Sequence, residues 1–419
     1  MPAALPAERE PSAARNIYAF GFTSFLNDTA TEMAYWVLPA FLVSLGAGPA
    51  QLGLIEGVAE SVASFAKLFS GYLTDRIDRR KPLVVAGYFA ANAVKPLLAL
   101  ATSWWHILLI RFTDRLAKGV RGTPRDVMVA ESVPKGRLGA AYGLIQSMDS
   151  AGAIAGPLIA FTLLARYGMR TVFWAAAIPG ALCVLVALFG IREKRSQAAN
   201  GAELQPAQVS TVQLAAERLN ATAPSGSVKL PAAFYFVLFA VTLFSLGNSS
   251  DMFLVMRAQN AGIPVALAPL LGLVFNLTYT LGSWPAGWFS DHLSRRGFSR
   301  HGSSRRWIAA TGYLTFAGVY FVFGRAPSAL AIWIAMAVYG FYYALTQPVL
   351  KALVIEAVGD EVRGRVLGVY FFVTSVATLA ASLITGELWK HYGAGVPFFV
   401  SAGLALASAA LLLMNRASD

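Results

Sequence analysis

The sequence predicts an all-α membrane protein with twelve transmembrane helices in two pseudo-symmetric six-helix bundles. Three observations support this prediction. The 419 residues are 56% hydrophobic with a mean hydropathy of +0.56, which is more apolar than the roughly 45 to 50% of a soluble domain. Apolar runs long enough to cross a membrane recur twelve times along the chain. Two motifs of the first half also return in the second half.

The apolar runs define twelve predicted spans, numbered span 1 to span 12 in chain order. Each contains about 18 residues or more, which is enough for a helix to cross a hydrocarbon core of roughly 30 Å. The predicted spans cover residues 17–45, 50–74, 82–102, 105–131, 137–165, 171–191, 231–256, 264–290, 307–324, 327–357, 364–389 and 395–414.

A polar segment separates the first six spans from the last six. The predicted organisation is a cytoplasmic tail at 1–16, a first bundle at 17–191, a cytoplasmic linker at 192–229 and a second bundle at 230–415. Odd-numbered connections contain five Lys or Arg residues, whereas even-numbered connections and the tails contain nineteen. Because cationic loops stay on the cytoplasmic side, both termini are predicted to be cytoplasmic. This asymmetry accounts for the net charge of +12 without a nucleic-acid partner.

The connection between spans 2 and 3 contains a motif that the second bundle repeats. GYLTDRIDRR at 71–80 aligns with GWFSDHLSRR at 287–296, and ESVPKGRLGAAYG at 131–143 aligns with EAVGDEVRGRVLG at 356–368. Two collinear matches indicate a duplicated bundle. The first motif resembles the signature loop GxLxDRxGRR of the major facilitator superfamily, except that Asp78 stands where that pattern has glycine.

The resemblance covers residues 16–415 and implies the major facilitator fold and secondary transport across a bacterial inner (plasma) membrane. It also implies a site between the two bundles that opens alternately to each side, in a monomeric carrier without a cofactor. In the superfamily, this loop latches the cytoplasmic ends of the bundles and meets an acid near the end of span 4. The resemblance assigns such a latch to Gly71, Asp75, Arg79, Arg80, Asp126 and Glu131.

Span 4 contains seven charges in the sixteen residues RFTDRLAKGVRGTPRD at 111–126. At roughly 100° per residue, these charges fall on one side of an α-helix. A deep charge that faces lipid costs about 2.5 to 3.5 kcal/mol, so the stripe is predicted to face protein or water. A cationic stripe favours an anionic small-molecule substrate, and buried salt bridges that fix packing are the alternative. The predicted substrate contacts are Arg111, Arg115, Lys118, Asn248, Tyr343, Gln347 and Lys351.

Acidic side chains inside the spans are candidates for proton coupling. SFLNDTATEMAY places Asp28 and Glu32 one turn apart on span 1, and LIEGVAES does the same for Glu56 and Glu60 on span 2. Burial favours the protonated form of a carboxyl group, and a nearby cation favours the charged form, so such a group can exchange a proton for substrate. The predicted proton-coupling residues are Asp28, Glu32, Asp114, Glu56, Glu60 and Asp149.

Span 5 contains GLIQSMDSAGAIAGPLIAF, which is similar to a motif of proton-coupled antiporters in the superfamily. Ala160 and Phe161 stand where that motif has two glycines. Small residues permit close helix packing, and proline bends a helix. The resemblance favours export over uptake. The matching residues are Gly143, Gly152, Gly156 and Pro157.

Proton-coupled export of a small organic anion or acidic metabolite is therefore the first hypothesis. Proton-coupled multidrug efflux is the alternative, because aromatic residues accompany the polar ones. A divalent-metal exporter and a non-transporting membrane sensor are further alternatives. An enzyme is not expected, because the chain contains no GxxxxGK[ST] phosphate loop and no HExxH zinc motif. No metal site is expected, since the four histidines lie near span ends and form no cluster with Cys183.

Overall fold

The computed structural model describes residues 11–77, 79–133, 138–193, 232–295, 303–356 and 363–414. These residues form helices and short connections, and no strand occurs among them. The helices make up twelve spans, so the predicted fold class is confirmed. Nine helical segments within the described residues are long and apolar enough to cross a membrane. The exceptions are spans 1, 2 and 4, whose interiors contain the charged residues discussed above.

The first bundle contains spans 1 to 6. Span 1 begins at Pro11, inside the segment that was predicted as a tail. The bounds are Pro11–Tyr35 and Leu38–Ser44 for span 1, Pro49–Arg76 for span 2, Lys81–Val94 and the 3₁₀ helix Lys95–Leu100 for span 3, Trp104–Glu131 for span 4, Leu138–Tyr167 for span 5, and Met169–Ala175, Ala177–Leu185 and Val186–Gly190 for span 6.

The second bundle contains spans 7 to 12. Of the linker predicted before it, the structure describes residues 192–193. The bounds are Ala232–Gly247 and Met252–Asn260 for span 7, Val265–Leu267 and Ala268–Arg295 for span 8, Ser303–Arg325 for span 9, Ala329–Glu356 for span 10, Arg363–Tyr392 for span 11, and Val396–Met414 for span 12.

The packing of the second bundle repeats that of the first, six spans further on. Span 1 packs against spans 5 and 6, and span 7 packs against spans 11 and 12. Span 4 packs against spans 2 and 3, and span 10 packs against spans 8 and 9. The bundles meet where span 2 packs against span 11 and span 5 packs against span 8. Span 2 corresponds to span 8, and span 5 corresponds to span 11, so these two contacts are equivalent, as expected for a duplicated bundle.

Spans 1 and 7, which occupy corresponding places in the two bundles, are both broken. Span 1 is interrupted at residues 36–37, because Pro39 cannot donate the backbone hydrogen bond that a continuous helix would need. Span 7 is interrupted at residues 248–251, where the sequence NSSD supplies side chains that compete with helical hydrogen bonds. The second break places Asp251 at the interface between the bundles.

The two ends of the bundle differ in how the halves meet. We name the end at residues 77–80 the terminal face and the end at residues 45–48 the opposite face. Toward the opposite face, Leu38–Ser44 of span 1 contacts Met252–Asn260 of span 7. The side chains at 36–38 and 252–256 are buried there. The apolar core therefore closes the interface between the bundles on the opposite side.

Candidate functional site

A cavity of about 160 Å³, named the central cavity, lies between the two bundles. Spans 1 and 4 form its wall in the first bundle, and spans 7 and 8 complete it from the second bundle. The cavity thus contains charged side chains of both bundles. Its lining residues are Asn27, Asp28, Thr31, Glu32, Tyr35, Trp36, Asp114, Arg115, Lys118, Arg121, Asp251, Phe275 and Asn276.

A second cavity of about 310 Å³, named the first-bundle cavity, lies among spans 1 to 5. It extends along span 4 from Arg115 to Asp126, toward the terminal face, and also reaches Asp149 on span 5. The polar stripe of span 4 therefore borders both cavities. The residues that line both are Asn27, Asp28, Arg115, Lys118 and Arg121.

Arg111 of span 4 is held in a buried ion pair outside the lining of the central cavity. Its Nη2 and Nε donate to Glu56 Oε1 at 2.6 Å and 2.8 Å, and both side chains are buried. The other carboxylate oxygen, Glu56 Oε2, accepts a hydrogen bond from Ser250 Oγ at 3.0 Å. This chain of contacts joins span 4 to span 2 and span 2 to the break in span 7.

Two further acids pair with cations of spans 3 and 4. Glu60 Oε1 lies 3.0 Å from Arg115 Nη2. Asp114 lies 3.7 Å from Lys95 Nζ and 3.8 Å from Arg111 Nη1. Lys95 was not predicted as a site residue, because it stands alone in the apolar run of span 3. The predicted coupling residues Glu56, Glu60 and Asp114 thus share an ion-pair network with the cations of spans 3 and 4, in which Glu56 and Asp114 are buried and the Glu60 side chain is 41% exposed.

Lys118 differs from the other cations of this network. Its side chain is exposed to both cavities, and no described carboxylate oxygen lies within 4.0 Å of its ammonium nitrogen. Nearby, Arg115 Nε and Arg121 Nη1 are buried without a hydrogen-bond acceptor among the described residues. Arg121 also lies over the Tyr88 ring at 4.4 Å. These two enclosed N–H groups do not face the cavities. The exposed and unpaired Lys118 is the group that makes this wall suited to a bound anion.

Asp28 and Glu32 line the central cavity beside Lys118 without a described Lys or Arg nitrogen within 4.0 Å. Asn27 Nδ2 donates to Asp28 Oδ1 at 3.0 Å. Glu32 Oε2 accepts from Trp36 Nε1 at 2.6 Å and from Asn276 Nδ2 at 3.4 Å. Glu32 therefore connects span 1 with span 8 of the other bundle. Among the described residues, no group of three or more His, Cys, Asp or Glu side chains could hold a metal ion.

The glycines predicted in span 5 bring that helix against span 1 beside these carboxylates. A Cβ at Gly152 or at Gly156 would lie 2.4 Å or 2.7 Å from carbonyl oxygens of span 1. The added Cβ at Gly156 would also lie 2.8 Å from Glu32 Cβ. Gly143 instead faces open space, and Pro157 is buried. Two of the three motif glycines thus set the distance between spans 1 and 5.

Asp251, in the break of span 7, lines the central cavity from the second bundle. The hydroxyl groups of Tyr339 and Tyr343 donate to its Oδ1 at 2.7 Å and 3.3 Å. No described Lys or Arg nitrogen lies within 4.0 Å of its oxygens. Of these three residues, Tyr343 alone was predicted as a substrate contact. The turn-forming string NSSD inside an apolar span was the signal that could have identified Asp251.

The remaining contacts predicted in the second bundle are less informative. The Oδ1 of Asn248 is buried without a donor among the described residues, and Asn248 does not line the central cavity. Gln347 and Lys351 lie outside the described side chains. Of the predicted contacts in the second bundle, Tyr343 is therefore the one that the described residues connect to the central cavity, through its hydrogen bond to Asp251.

The predicted latch is described in part. The structure brings Arg80 together with Glu131 in an ion pair between the start of span 3 and the end of span 4. Asp126 instead pairs with its neighbour Arg125 at 3.1 Å. Arg80 thus contacts one of the two acids proposed for it. The other latch residues are Gly71, which is buried, Arg79, which is exposed, and Asp75, whose side chain lies outside the described part of the chain.

Comparisons with known proteins agree with this architecture. A family model described as Major Facilitator Superfamily matches residues 20–303 and 236–419. An uncharacterized MFS-type transporter of Methanocaldococcus jannaschii is 30% identical over 414 residues, which are 97% of this chain and 96% of that protein. Multidrug resistance protein MdtG of Escherichia coli O81 is 24% identical over 414 residues, with 96% and 95% of the two chains covered.

The fold is also that of solved carriers. The crystal structure of the nucleoside transporter NupG superposes with a TM-score of 0.70, covering 96% of this chain and 99% of that one. At 15% identity, this similarity concerns the fold alone. The family match and the relative from M. jannaschii extend over nearly the whole sequence. This chain therefore belongs to the major facilitator superfamily and is a multi-pass membrane transporter.

Proposed function

We propose that this transporter exports small organic molecules bearing an acidic group, in exchange for protons, by alternating access. The observation that supports this proposal is the position of Lys118, a cation that faces the cavity between the bundles without an ion-pair partner among the described residues. A carboxylate or phosphate group at Lys118 gains a charge-assisted hydrogen bond. Arg115 and Arg121 line the same cavity and add positive charge to its wall.

The paired cations have a different proposed role. Arg111 is held by Glu56 in a pair outside the central cavity, so it positions span 4 against span 2. Arg115 is also paired, with Glu60, through one edge of its guanidinium group. The alternative of structural salt bridges is thus favoured for Arg111, and substrate contact is favoured for Lys118.

Asp28 and Glu32 are the proposed proton carriers. Both line the central cavity together with Lys118 and have no described cation within 4.0 Å. Protonation of Glu32 removes the charge that accepts hydrogen bonds from Trp36 and Asn276. Because Asn276 belongs to the other bundle, this change weakens a contact between the halves. Proton binding is thereby linked to the rocking motion of alternating access.

The topology supports export as the direction of this cycle. Both termini are proposed to be cytoplasmic in a bacterial inner membrane, as the Lys and Arg asymmetry favours, with the carrier acting as a monomer. The first-bundle cavity extends along span 4 toward the terminal face, which carries the even-numbered connection between spans 2 and 3. The opposite end is closed by the apolar core. This arrangement supports loading from the cytoplasm. Export is further supported by the span 5 motif and by the relative named as a multidrug resistance protein.

Flux into and out of proteoliposomes tests the proposal. The purified chain is reconstituted, a pH gradient is imposed, and the flux of labelled benzoate, citrate and glucose 6-phosphate is measured. At least one acid is expected to move only with the gradient, and Lys118→Gln is expected to reduce its flux about tenfold or more, while Lys118→Arg retains it. Lys390→Gln, at the exposed end of span 11, is the matched control. Undiminished flux in Lys118→Gln contradicts the role of Lys118.

Multidrug efflux is the second candidate, supported by the aromatic part of the cavity wall. Tyr35, Trp36 and Phe275 line the central cavity, and rings of this kind bind lipophilic cations. The relative MdtG supports the same interpretation. Efflux of ethidium from the same proteoliposomes, unaffected by Lys118→Gln and without movement of any acid, would favour this candidate.

A further inference from the structure

Charged side chains of both bundles line the central cavity. On the first-bundle side, the cations Arg115, Lys118 and Arg121 lie with the acids Asp28, Glu32 and Asp114, and Lys118 is the exposed cation without an ion-pair partner among the described residues. Asp251, in the break of span 7, lines the same cavity from the second bundle. A ligand between the bundles therefore meets the exposed cation Lys118 from one bundle and the carboxylate of Asp251 from the other.

Asp251 is a carboxylate with no Lys or Arg nitrogen within 4.0 Å in the part of the chain that the structure describes. Two tyrosine hydroxyls donate to its Oδ1, whereas Oδ2 has one long contact, 3.4 Å from the Tyr343 hydroxyl. Inside a membrane protein, a carboxylate is normally paired with a cation, and an intramembrane acid is by default a functional site. Tyrosines and acids lie around Asp251, namely Tyr35, Glu56, Glu60, Tyr320, Tyr339 and Tyr343. The first bundle faces it across the same cavity with Asp28, Glu32, Asp114, Arg115, Lys118 and Arg121.

Aromatic rings pack beside the two tyrosines that donate to this carboxylate. The Phe275 ring, which lines the cavity, lies 5.6 Å from the Tyr339 ring and 5.2 Å from the Tyr343 ring, centroid to centroid. Trp36 packs against Phe275 at 6.1 Å. A carboxylate beside aromatic rings is the combination that recognises an ammonium group, through an ion pair and cation–π contacts.

We propose that Asp251 is an amine-binding subsite and that the substrate is a zwitterion, with its acidic group at Lys118 and its ammonium group at Asp251. The proposal rests on the proposed function and narrows its substrate class from organic acids to amino acids or other molecules that bear both groups. In this proposal, one ligand contacts Lys118 with one end and Asp251 with the other.

The proposal also explains why transport is an exchange. In the proposed cycle an anion binds at Lys118 and protons bind at Asp28 and Glu32, so an acid alone does not compete with a proton for one group. Asp251 adds a further carboxylate at which a proton can bind. An ammonium group and a proton instead compete for the carboxylate of Asp251. Competition for one group is what exchange requires, because the carrier then returns with a proton when the ligand has left.

Binding to the purified full chain in nanodiscs tests the ligand class without requiring flux. Two sets of probes are compared by isothermal titration: phenylalanine with 3-phenylpropionate and phenethylamine, and 6-aminohexanoate with hexanoate and hexylamine. In at least one set, the zwitterion is expected to bind about tenfold or more tighter than either partial analogue. Asp251→Asn is expected to reduce zwitterion binding to the level of the acid, and Asp251→Glu to retain it. Glu387→Gln, at the exposed end of span 11, is the control.

Each outcome decides the proposal. Equal binding of zwitterion and acid, unchanged zwitterion binding in a folded Asp251→Asn variant, or no binding by either set overturns it. The comparison within each set uses the unaltered chain, so it holds even if the variant does not fold. Loss of gradient-driven flux with the zwitterion preference intact overturns the proposed transport cycle but not the ligand class. Gradient-driven flux of acids without any preference for zwitterions overturns the ligand class but not the proposed transport cycle.

Discussion

At the scale of single residues, Glu56 and Arg111 show how an apolar protein accommodates charge. Their side chains are 1% and 6% exposed and share two hydrogen bonds. Burial of two ions costs free energy that their attraction only partly returns, so the pair contributes little as a whole. Removal of one partner leaves the other charge buried and unpaired, which is far more costly.

Glu56→Gln is therefore expected to lower the free energy of unfolding by about 3 to 5 kcal/mol. The double variant Glu56→Gln with Arg111→Gln is expected to lose less, because no unpaired charge remains. Glu131→Gln is the control, since Glu131 is 51% exposed in its pair with Arg80 and exposed pairs contribute about 1 kcal/mol or less. Unfolding in mixed detergent micelles measures all three. Equal losses for Glu56→Gln and Glu131→Gln would show that burial does not govern these pairs.

The sequence predicted which residues are charged and on which helix, but not their partners. Helical periodicity placed the charges of span 4 on one side and Asp28 beside Glu32, because these relations are local. The contact between Arg111 and Glu56 depends on the position of span 2 relative to span 4 along their axes. Such contacts between residues far apart in the sequence are set by packing, which helical periodicity does not describe. For the same reason, the sequence did not single out Lys118 among the cations.

At the scale of helices, spans 1 and 5 approach closely because span 5 has glycines where they touch. A Cβ at Gly156 would lie 2.7 Å from a carbonyl oxygen and 2.8 Å from Glu32 Cβ, whereas a Cβ at Gly143 meets nothing within 4 Å. The sequence motif identified these glycines as one group. The structure separates them, because Gly152 and Gly156 face span 1 and Gly143 does not.

Gly156→Ala is expected to destabilise the protein by about 1 to 3 kcal/mol through overpacking, and to displace Glu32 from its cavity position. Gly143→Ala, in the same helix, is expected to be neutral or to stabilise it by up to about 1 kcal/mol, since alanine is the better helix former. Thermal unfolding of the two variants in detergent gives the comparison. If both variants lower the midpoint equally, close packing of spans 1 and 5 is not the reason for the glycines.

At the scale of the whole molecule, the sequence motifs predicted that the six-helix bundle is duplicated, and the repeated packing of the spans agrees with this prediction. The breaks in spans 1 and 7 were not predicted, because hydropathy treats an unwound turn inside an apolar run as continuous helix. Pro39 and the NSSD string were the local signals. These breaks matter because the second one places Asp251 in the central cavity, where the two halves face each other.

In the proposed alternating-access cycle the two bundles move against each other, and spans 2 and 11 form one of the contacts that we expect to change. A Cβ at Gly57 would lie 3.5 Å from Ser382 Cβ, within the roughly 3.5 to 4.5 Å that a disulfide spans. The double variant Gly57→Cys with Ser382→Cys is therefore expected to lose gradient-driven flux after oxidation and to regain it after reduction. Each single variant, treated with the same oxidant, controls for the buried Cys183. Full flux through completely oxidised protein would mean that spans 2 and 11 stay together throughout the cycle, and that the moving contacts lie elsewhere in the bundle interface.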